Sequence, residues 1–148
     1  MLIDWELTGP DRRFAIQVPD VVQAGLFYSK VLGARETFRQ VTPSGEPAEM
    51  GLVIGNAGFI ISSEGSVEGS DRPLLSELAE ALEAPFLAVI LRVDNPDRVV
   101  RHALKAGGKL MRPLETGDYA IVTDPFGSHW ALARGGRAMG QMLSLTQH

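Results

Sequence analysis

The sequence predicts an α+β fold of two βαβββ modules, produced by an internal duplication, with a curved mixed sheet around a cleft and the helices outside. A strand-like segment is followed by an amphipathic helix and three more strand-like segments, and this order repeats at an offset of about 75 residues. Each half has one helix for four strands. The helix therefore covers one face of its sheet, and the other face is left to line a cleft.

The first module is expected over about residues 12–63. Residues 13–18 alternate between two faces as a half-buried strand does. Asp20 then caps a helix whose apolar residues recur every three or four positions, and Gly33 ends it. Strands are predicted at 35–41, 50–54 and 59–63, because Pro- and Gly-containing turns separate these β-prone segments.

The second module is expected over about residues 86–134, after a connector at 64–85 that carries one short helix. It has a strand at 86–93, a helix that begins at Asn95 or Pro96 and ends at Gly107-Gly108, and strands at 109–112, 119–123 and 129–133. Residues 135–148 have no clear period and either pack on a neighbour or fray. The whole chain, 1–148, is expected to be a single domain.

Composition excludes several classes of partner. The 148 residues carry a net charge of −4 without a basic stripe, so a nucleic acid is not an expected partner. The longest apolar run, 84–91, is far shorter than the roughly 18 residues of a membrane span, so no membrane partner is expected. The acidic residues Asp4 and Glu6 stand where a signal peptide would be basic, and there are no cysteines. A cytoplasmic location is therefore expected.

Two motifs resemble those of a known family. Residues 27–33 (FYSKVLG) follow Val18-Pro19-Asp20, and residues 124–130 (DPFGSHW) lie near the end of the second module. Together with the order of elements they resemble the vicinal oxygen chelate superfamily, which holds glyoxalase I, extradiol dioxygenases and bleomycin-resistance proteins, and within it the PhnB-like branch. The resemblance covers about residues 12–134 and implies a cleft for a small molecule and a homodimer.

The resemblance also implies four metal-ligand positions, and none of them carries a ligand here. They fall on Arg13, Ile60 or Ile61, Ala88 and Ala131. A divalent ion needs imidazole or carboxylate donors, which these residues lack. No metal cofactor is expected; a divalent metal stays possible only in a shifted register, for which Gln17 is one weak ligand.

Alternation along the strands nominates the residues of the cleft. It places Gln17 on the cleft face with Arg13 and Ala15, Arg92 with Ala88 and Ile90, Tyr119 with Ile121 and Thr123, and His129 with Ala131 and Ala133. The candidate ligand-binding residues are therefore Arg13, Gln17, Arg92, Tyr119 and His129. Two alternatives stay open: His129 bonds to a backbone carbonyl, or the cleft is collapsed and Arg13 and Arg92 pair with Glu49 or Asp118.

Three functions compete. The preferred one is a metal-free protein that binds a small apolar or cationic compound in a cleft completed by a second subunit, as the bleomycin-resistance resemblance implies. The second is an enzyme in which His129 is the general acid or base and Arg13 or Arg92 holds an oxyanion. The third is a metal-dependent lyase or dioxygenase.

Overall fold

The computed structural model describes residues 2–3, 14–54, 57–63, 80, 86–113, 119–135 and 142–145. Two helices and ten strands are defined in this part of the chain. The helices are α1 (Val21–Leu32) and α2 (Pro96–Lys105). The strands are β1 (Leu2–Ile3), β2 (Phe14–Val18), β3 (Arg35–Val41), β4 (Pro47–Ile54), β5 (Ala57–Ser63), β6 (Phe86–Val93), β7 (Lys109–Arg112), β8 (Ala120–Thr123), β9 (His129–Arg134) and β10 (Met142–Leu145).

The strands form two mixed sheets, one for each module. Sheet 1 has the order β2-β5-β4-β3, and sheet 2 has the order β1-β10-β6-β9-β8-β7. In each module the first strand pairs in parallel with the last, β2 with β5 and β6 with β9, and the other pairs are antiparallel. The predicted α+β class and the duplicated βαβββ order are therefore confirmed.

Both helices begin at the side chains that the sequence analysis chose. The Asp20 carboxylate accepts hydrogen bonds from Val22 N at 3.0 Å and Gln23 N at 3.2 Å, and Asn95 Oδ1 accepts one from Arg98 N at 3.1 Å. Helix α1 ends at Gly33, whose φ of 72° lies in the left-handed region that favours glycine. Asn95 is thus the cap of α2, and Pro96 is its first residue.

One apolar core lies between the helices and both sheets. It contains residues of α1 and β2 from the first module and of α2, β6 and β9 from the second. At its centre the rings of Tyr28 and Trp130 lie 5.6 Å apart, and each side chain is almost fully buried. The face of each sheet that lies opposite this core is called the helix-free face below.

Several segments differ from the prediction. Strand β1, at Leu2–Ile3, was not predicted, and β5 begins two residues early, at Ala57. The tail supplies β10, which pairs antiparallel with β6 along 86–89; four residues are too few to display a period, so only this tertiary pairing defines the strand. Strand β4 begins three residues early, at Pro47. The predicted connector helix lies outside the described residues, apart from Glu80, which is helical. Neither described helix is apolar over the length that crossing a bilayer requires.

Candidate functional site

Strand register arranges the helix-free face of sheet 2 in three rows. Because directly paired residues point to the same face, each row can be read across the strands. The first row holds Ala88, His129, Thr123 and Lys109; the second holds Ile90, Ala131, Ile121 and Arg112; the third holds Arg92 and Ala133. Tyr119 lies next to the third row, just before β8. The first and third rows, at the two ends of the face, thus carry polar residues, and the second row, at its centre, is mostly apolar.

The apolar centre forms a cluster separate from the main core. Ala88, Ile90, Ile121 and Ala131 make up this central cluster, each is at most 1% exposed, and Tyr119 packs against it. The strand neighbours of these residues, such as Val89 and Trp130, belong instead to the core beneath the helices. The structure therefore divides the strands between two faces as the alternation predicts.

His129 lies at one end of this face, half-buried. Its Nδ1 lies 2.9 Å from Thr123 Oγ1. One predicted alternative was a hydrogen bond to a backbone carbonyl; this contact is with a side-chain hydroxyl. Burial lowers the pKa of His129 below its ordinary value, although the nearby Asp124 carboxylate opposes this shift. Because burial outweighs the carboxylate, the net shift favours a neutral imidazole near pH 7. The role of His129 in binding or catalysis stays a prediction.

Arg92 lies at the opposite end of the face. Its Nη1 donates to the carbonyl oxygen of Arg134 at 3.4 Å, and within the described residues its guanidinium forms no ion pair with Glu49. Asp118 and Arg13, the other residues of the predicted pairing, lie outside the described residues. Arg92 pairs with Ala133, four residues along β9 from His129, which corresponds to about 13 Å of strand. The register therefore gives His129 and Arg92 separate parts of the face.

The helix-free face of sheet 1 has an equivalent end row with different chemistry. Gln17 of β2 pairs with Ser62 of β5, which pairs in turn with Glu49 of β4. Gln17 is exposed, Glu49 is half-buried and Ser62 is fully buried. Among the described residues, Ser62 Oγ is the one buried side-chain polar atom without a hydrogen-bond partner. Leaving such a group unpaired costs about 1–3 kcal/mol.

The positions that hold metal in metal-dependent relatives carry no donor atoms in the described part of the chain. Ala88 and Ala131 lie in the central cluster, and Ile60 pairs with Ala15 on the helix-free face of sheet 1, whereas Ile61 belongs to the core. Ile60 is thus the equivalent position of the two that were considered. No three His, Cys, Asp or Glu side chains of the described residues come together as a metal site would require. These residues do not fit a divalent metal.

A buried carboxylate organises the hairpin between β8 and β9; the sequence predicted it as part of a turn and of the 124–130 motif, but not as a site residue. Asp124 is 4% exposed and accepts four hydrogen bonds: from Tyr28 Oη at 2.5 Å, and from Trp130 Nε1, Phe126 N and Ser128 N at 2.9 Å each. Burial, and then the charge of Asp124, raise the pKa of Tyr28 well above its ordinary value. This Asp124 hub fixes the hairpin that carries Thr123 and His129. Its one sequence signal is an Asp directly before Pro-Phe-Gly between two strands.

Two βαβββ modules, each with parallel first and last strands and a helix-free face, define the glyoxalase-like class of folds. A profile of the Glyoxalase/Bleomycin resistance protein/Dioxygenase superfamily matches residues 12–132. The chain belongs to this superfamily. The match does not single out the PhnB-like branch, which stays a prediction.

Individual relatives agree with this membership. The chain is 31% identical over 125 residues to the uncharacterized protein Mb0911c of Mycobacterium bovis, covering 79% of this chain and 78% of that protein. Among solved structures it is similar to the product of Arabidopsis thaliana AT5G48480, with a TM-score of 0.61, 23% identity and coverage of 86% of this chain and 98% of that one. It is also similar to a glyoxalase/bleomycin resistance protein/dioxygenase family enzyme of Burkholderia phytofirmans, with a TM-score of 0.56, 24% identity and coverage of 84% and 97%. The two structural likenesses concern the fold.

Proposed function

We propose that this protein binds a small organic molecule on its helix-free faces without a catalytic metal, as a binding protein of the bleomycin-resistance kind. The observation that carries the proposal is the replacement of metal donors by the apolar central cluster, in which Ala88 and Ala131 stand at ligand positions. Polar groups at the two ends of the same face, Arg92 and His129, leave an apolar floor between them. Small-molecule sites have this composition, an apolar lining with a few polar groups that fix orientation.

The burial of the cluster determines how a ligand would reach it. Ile90 and Ile121 are at most 1% exposed, so a ligand contacts them only after the groups that cover them move. Reordering those groups subtracts from the affinity, and the apolar area removed from water adds about 25 cal/mol per Å². A ligand with an apolar body therefore gains most on this face.

Methyl NMR with three matched probes tests the proposal. The probes are phenethylamine, 2-phenylethanol and 3-phenylpropionate, which are a cation, a neutral molecule and an anion with similar apolar bodies. We expect at least one of them to shift the methyl signals of Ile90 and Ile121, while Val89 and Val122, on the opposite face of the same strands, stay unchanged. A cleft filled by its own side chains would give no shift with any probe, and that result would refute binding at this face.

We also propose that the protein is a homodimer, as the family resemblance implies. Native mass spectrometry tests this and the proposed absence of a metal. The protein is purified with added divalent metal and without chelator, because one spectrum then reports metal, retained ligand and oligomeric state. We expect less than about a tenth of an equivalent of metal, since a metal site of ordinary affinity would be filled under these conditions. One metal per chain would overturn the metal-free proposal, and a monomer at micromolar concentration would overturn the homodimer.

The proposed cytoplasmic location rests on the absence of cysteine.

A second candidate function is metal-independent acid–base chemistry at His129. The contact between His129 Nδ1 and Thr123 Oγ1 favours it, because a hydroxyl that fixes one ring nitrogen also fixes the orientation of the ring. A neutral imidazole near pH 7 is suited to accept a proton. A reaction found for this protein that persists at the same rate in His129→Gln would exclude this role.

A further inference from the structure

The end row of sheet 1 is polar at every position that the register assigns to its four strands. Gln17, Ser62 and Glu49 stand side by side on β2, β5 and β4, and Gln40 follows on β3. Facing residues of neighbouring strands have Cβ atoms about 5 Å apart, so the three side chains Gln17, Ser62 and Glu49 meet above the sheet. These three residues are called the sheet 1 polar row below.

Two groups of this row have no hydrogen-bond or ion-pair partner within the described part of the chain. Ser62 Oγ is fully buried and has no hydrogen-bond partner in the described part of the chain. Glu49 is half-buried, and within the described residues the ion pairs join Arg39 to Glu36 and Arg134 to Asp97, not Glu49 to a cation. Native proteins pair nearly all their buried polar groups, so an orphaned hydroxyl beside a carboxylate that has no cation among the described residues favours a group supplied from outside the chain.

The duplication shows that the row is a difference between the modules and not a requirement of the fold. With β2 and β6 aligned by the offset of about 75 residues, Gln17 corresponds to Arg92, and Ser62, its partner on β5, to Ala133 on β9. The second module therefore builds the same place in its sheet with a cation and a methyl group. Sheet 1 replaces them with an amide and a hydroxyl, and has the Glu49 carboxylate where the second module has Tyr119.

We infer that the sheet 1 polar row is a binding subsite for the ammonium group of an organic amine. An ammonium has three donors and no acceptor, and the row offers acceptors: the Glu49 carboxylate, the Ser62 hydroxyl and the Gln17 amide oxygen. A carboxylate ligand would instead meet Glu49 as a like charge. This inference rests on the proposed function, because it names the chemical class that one helix-free face takes.

Phenethylamine and 2-phenylethanol test the subsite, because they differ only in the polar group. We expect the amine to shift the methyl signal of Ile60, which lies one row away on the same face. The methyl signal of Ile61, on the opposite face, should stay unchanged. We expect Glu49→Gln to weaken phenethylamine binding about tenfold, the scale of a hydrogen bond to a charged group, and to change binding of the alcohol by less than about twofold.

Ser62→Ala separates a binding role from a structural one. Because the hydroxyl has no partner among the described residues, its removal should leave the melting temperature unchanged or raise it, while weakening phenethylamine binding several-fold. The matched control is Ser63→Ala, since Ser63 is the next residue of β5 and points to the opposite face. The Ser63→Ala variant should bind the amine with the affinity of the wild-type protein.

The outcomes distinguish this inference from the proposed function. If phenethylamine binds but Glu49→Gln and Ser62→Ala both keep wild-type affinity, or Ser62→Ala lowers the melting temperature without changing affinity, the subsite is refuted and ligand binding on the helix-free faces stands. If none of the three probes shifts a methyl group of either helix-free face, the proposed function fails.

Discussion

Replacing Asp124 by asparagine should destabilise this protein more than any other change that preserves side-chain volume at the hairpin between β8 and β9. The two carboxylate oxygens accept four hydrogen bonds, two from backbone N–H groups of the turn and two from the side chains of Tyr28 and Trp130. An amide has one oxygen. If it keeps the two backbone donors, its NH₂ group faces Trp130 Nε1, which is itself a donor and cannot accept.

The magnitude follows from that mismatch. The Tyr28 hydroxyl can turn to accept from the new NH₂ group, but the buried Trp130 N–H loses its acceptor, which costs about 1–3 kcal/mol. The remaining bonds also lose their charge, and bonds to charged groups are roughly twice as strong as neutral ones. We therefore expect Asp124→Asn to lower the free energy of unfolding by about 3 kcal/mol, against a total of roughly 5–15 kcal/mol for a domain.

Urea unfolding followed by far-UV circular dichroism measures this loss. Asp94→Asn is the matched control, since Asp94 is exposed in the bend after β6 and its change should stay within about 0.5 kcal/mol. A double-mutant cycle with Tyr28→Phe should be non-additive by about 1–2 kcal/mol, because both changes remove the same bond from the Tyr28 hydroxyl to a charged carboxylate. An Asp124→Asn variant as stable as the Asp94→Asn control, or strict additivity with Tyr28→Phe, would refute the reasoning.

Three further predictions follow from single residues. Because the pKa of Tyr28 is raised in the folded protein, its stabilising effect is complete below about pH 10 and is lost as the pH rises beyond that; unfolding between pH 9 and 11 should therefore show an alkaline loss that Tyr28→Phe removes, and an equal loss in that variant would contradict this. Because the pKa of His129 is lowered, the folded protein resists its protonation and stability falls as the pH drops through about 6.5; its ring-proton NMR titration should have a midpoint below that of an unfolded histidine, and a midpoint above it would be contrary to the burial argument. Gly33→Ala should lower the free energy of unfolding in urea by about 1 kcal/mol, because φ is 72°. No atom lies within 4 Å of the added methyl group, so the backbone conformation is the cause and not a clash. Gly33→Asn should lower it less, since asparagine tolerates this conformation better, and equal losses would show that the backbone conformation is not the cause.

Local chemistry accounts for what the sequence predicted well. Asp20 and Asn95 begin the helices because their side chains accept from free backbone N–H groups, and Gly33 ends α1 because it tolerates a positive φ. Alternation assigned Ile121 and Val122 to opposite faces without any tertiary information. These features depend on residues near one another in the chain, and so a single sequence contains them.

The features that were missed depend on distant residues. The strand β10 exists because Met142–Leu145 pairs with β6, more than 50 residues away, and its four residues carry no period of their own. The orphaned hydroxyl of Ser62 and the four partners of Asp124 depend on what the fold places around them. Composition and spacing describe such residues only as a serine in a strand and an aspartate in a turn.

The Asp124 hub also shows how far the two halves of the chain have diverged since the duplication. Its donors come from both modules, Tyr28 from α1 and Trp130 from β9. By the alignment of the modules, the positions equivalent to Asp124 and Tyr28 are Ile54 and Ala103, both buried and apolar. The equivalent hydrogen bond between the modules therefore has no polar groups to form it. The halves are therefore no longer interchangeable: a chain built from two copies of the first module would have the tyrosine twice without its acceptor, and one built from two copies of the second would have the buried carboxylate twice without its tyrosine.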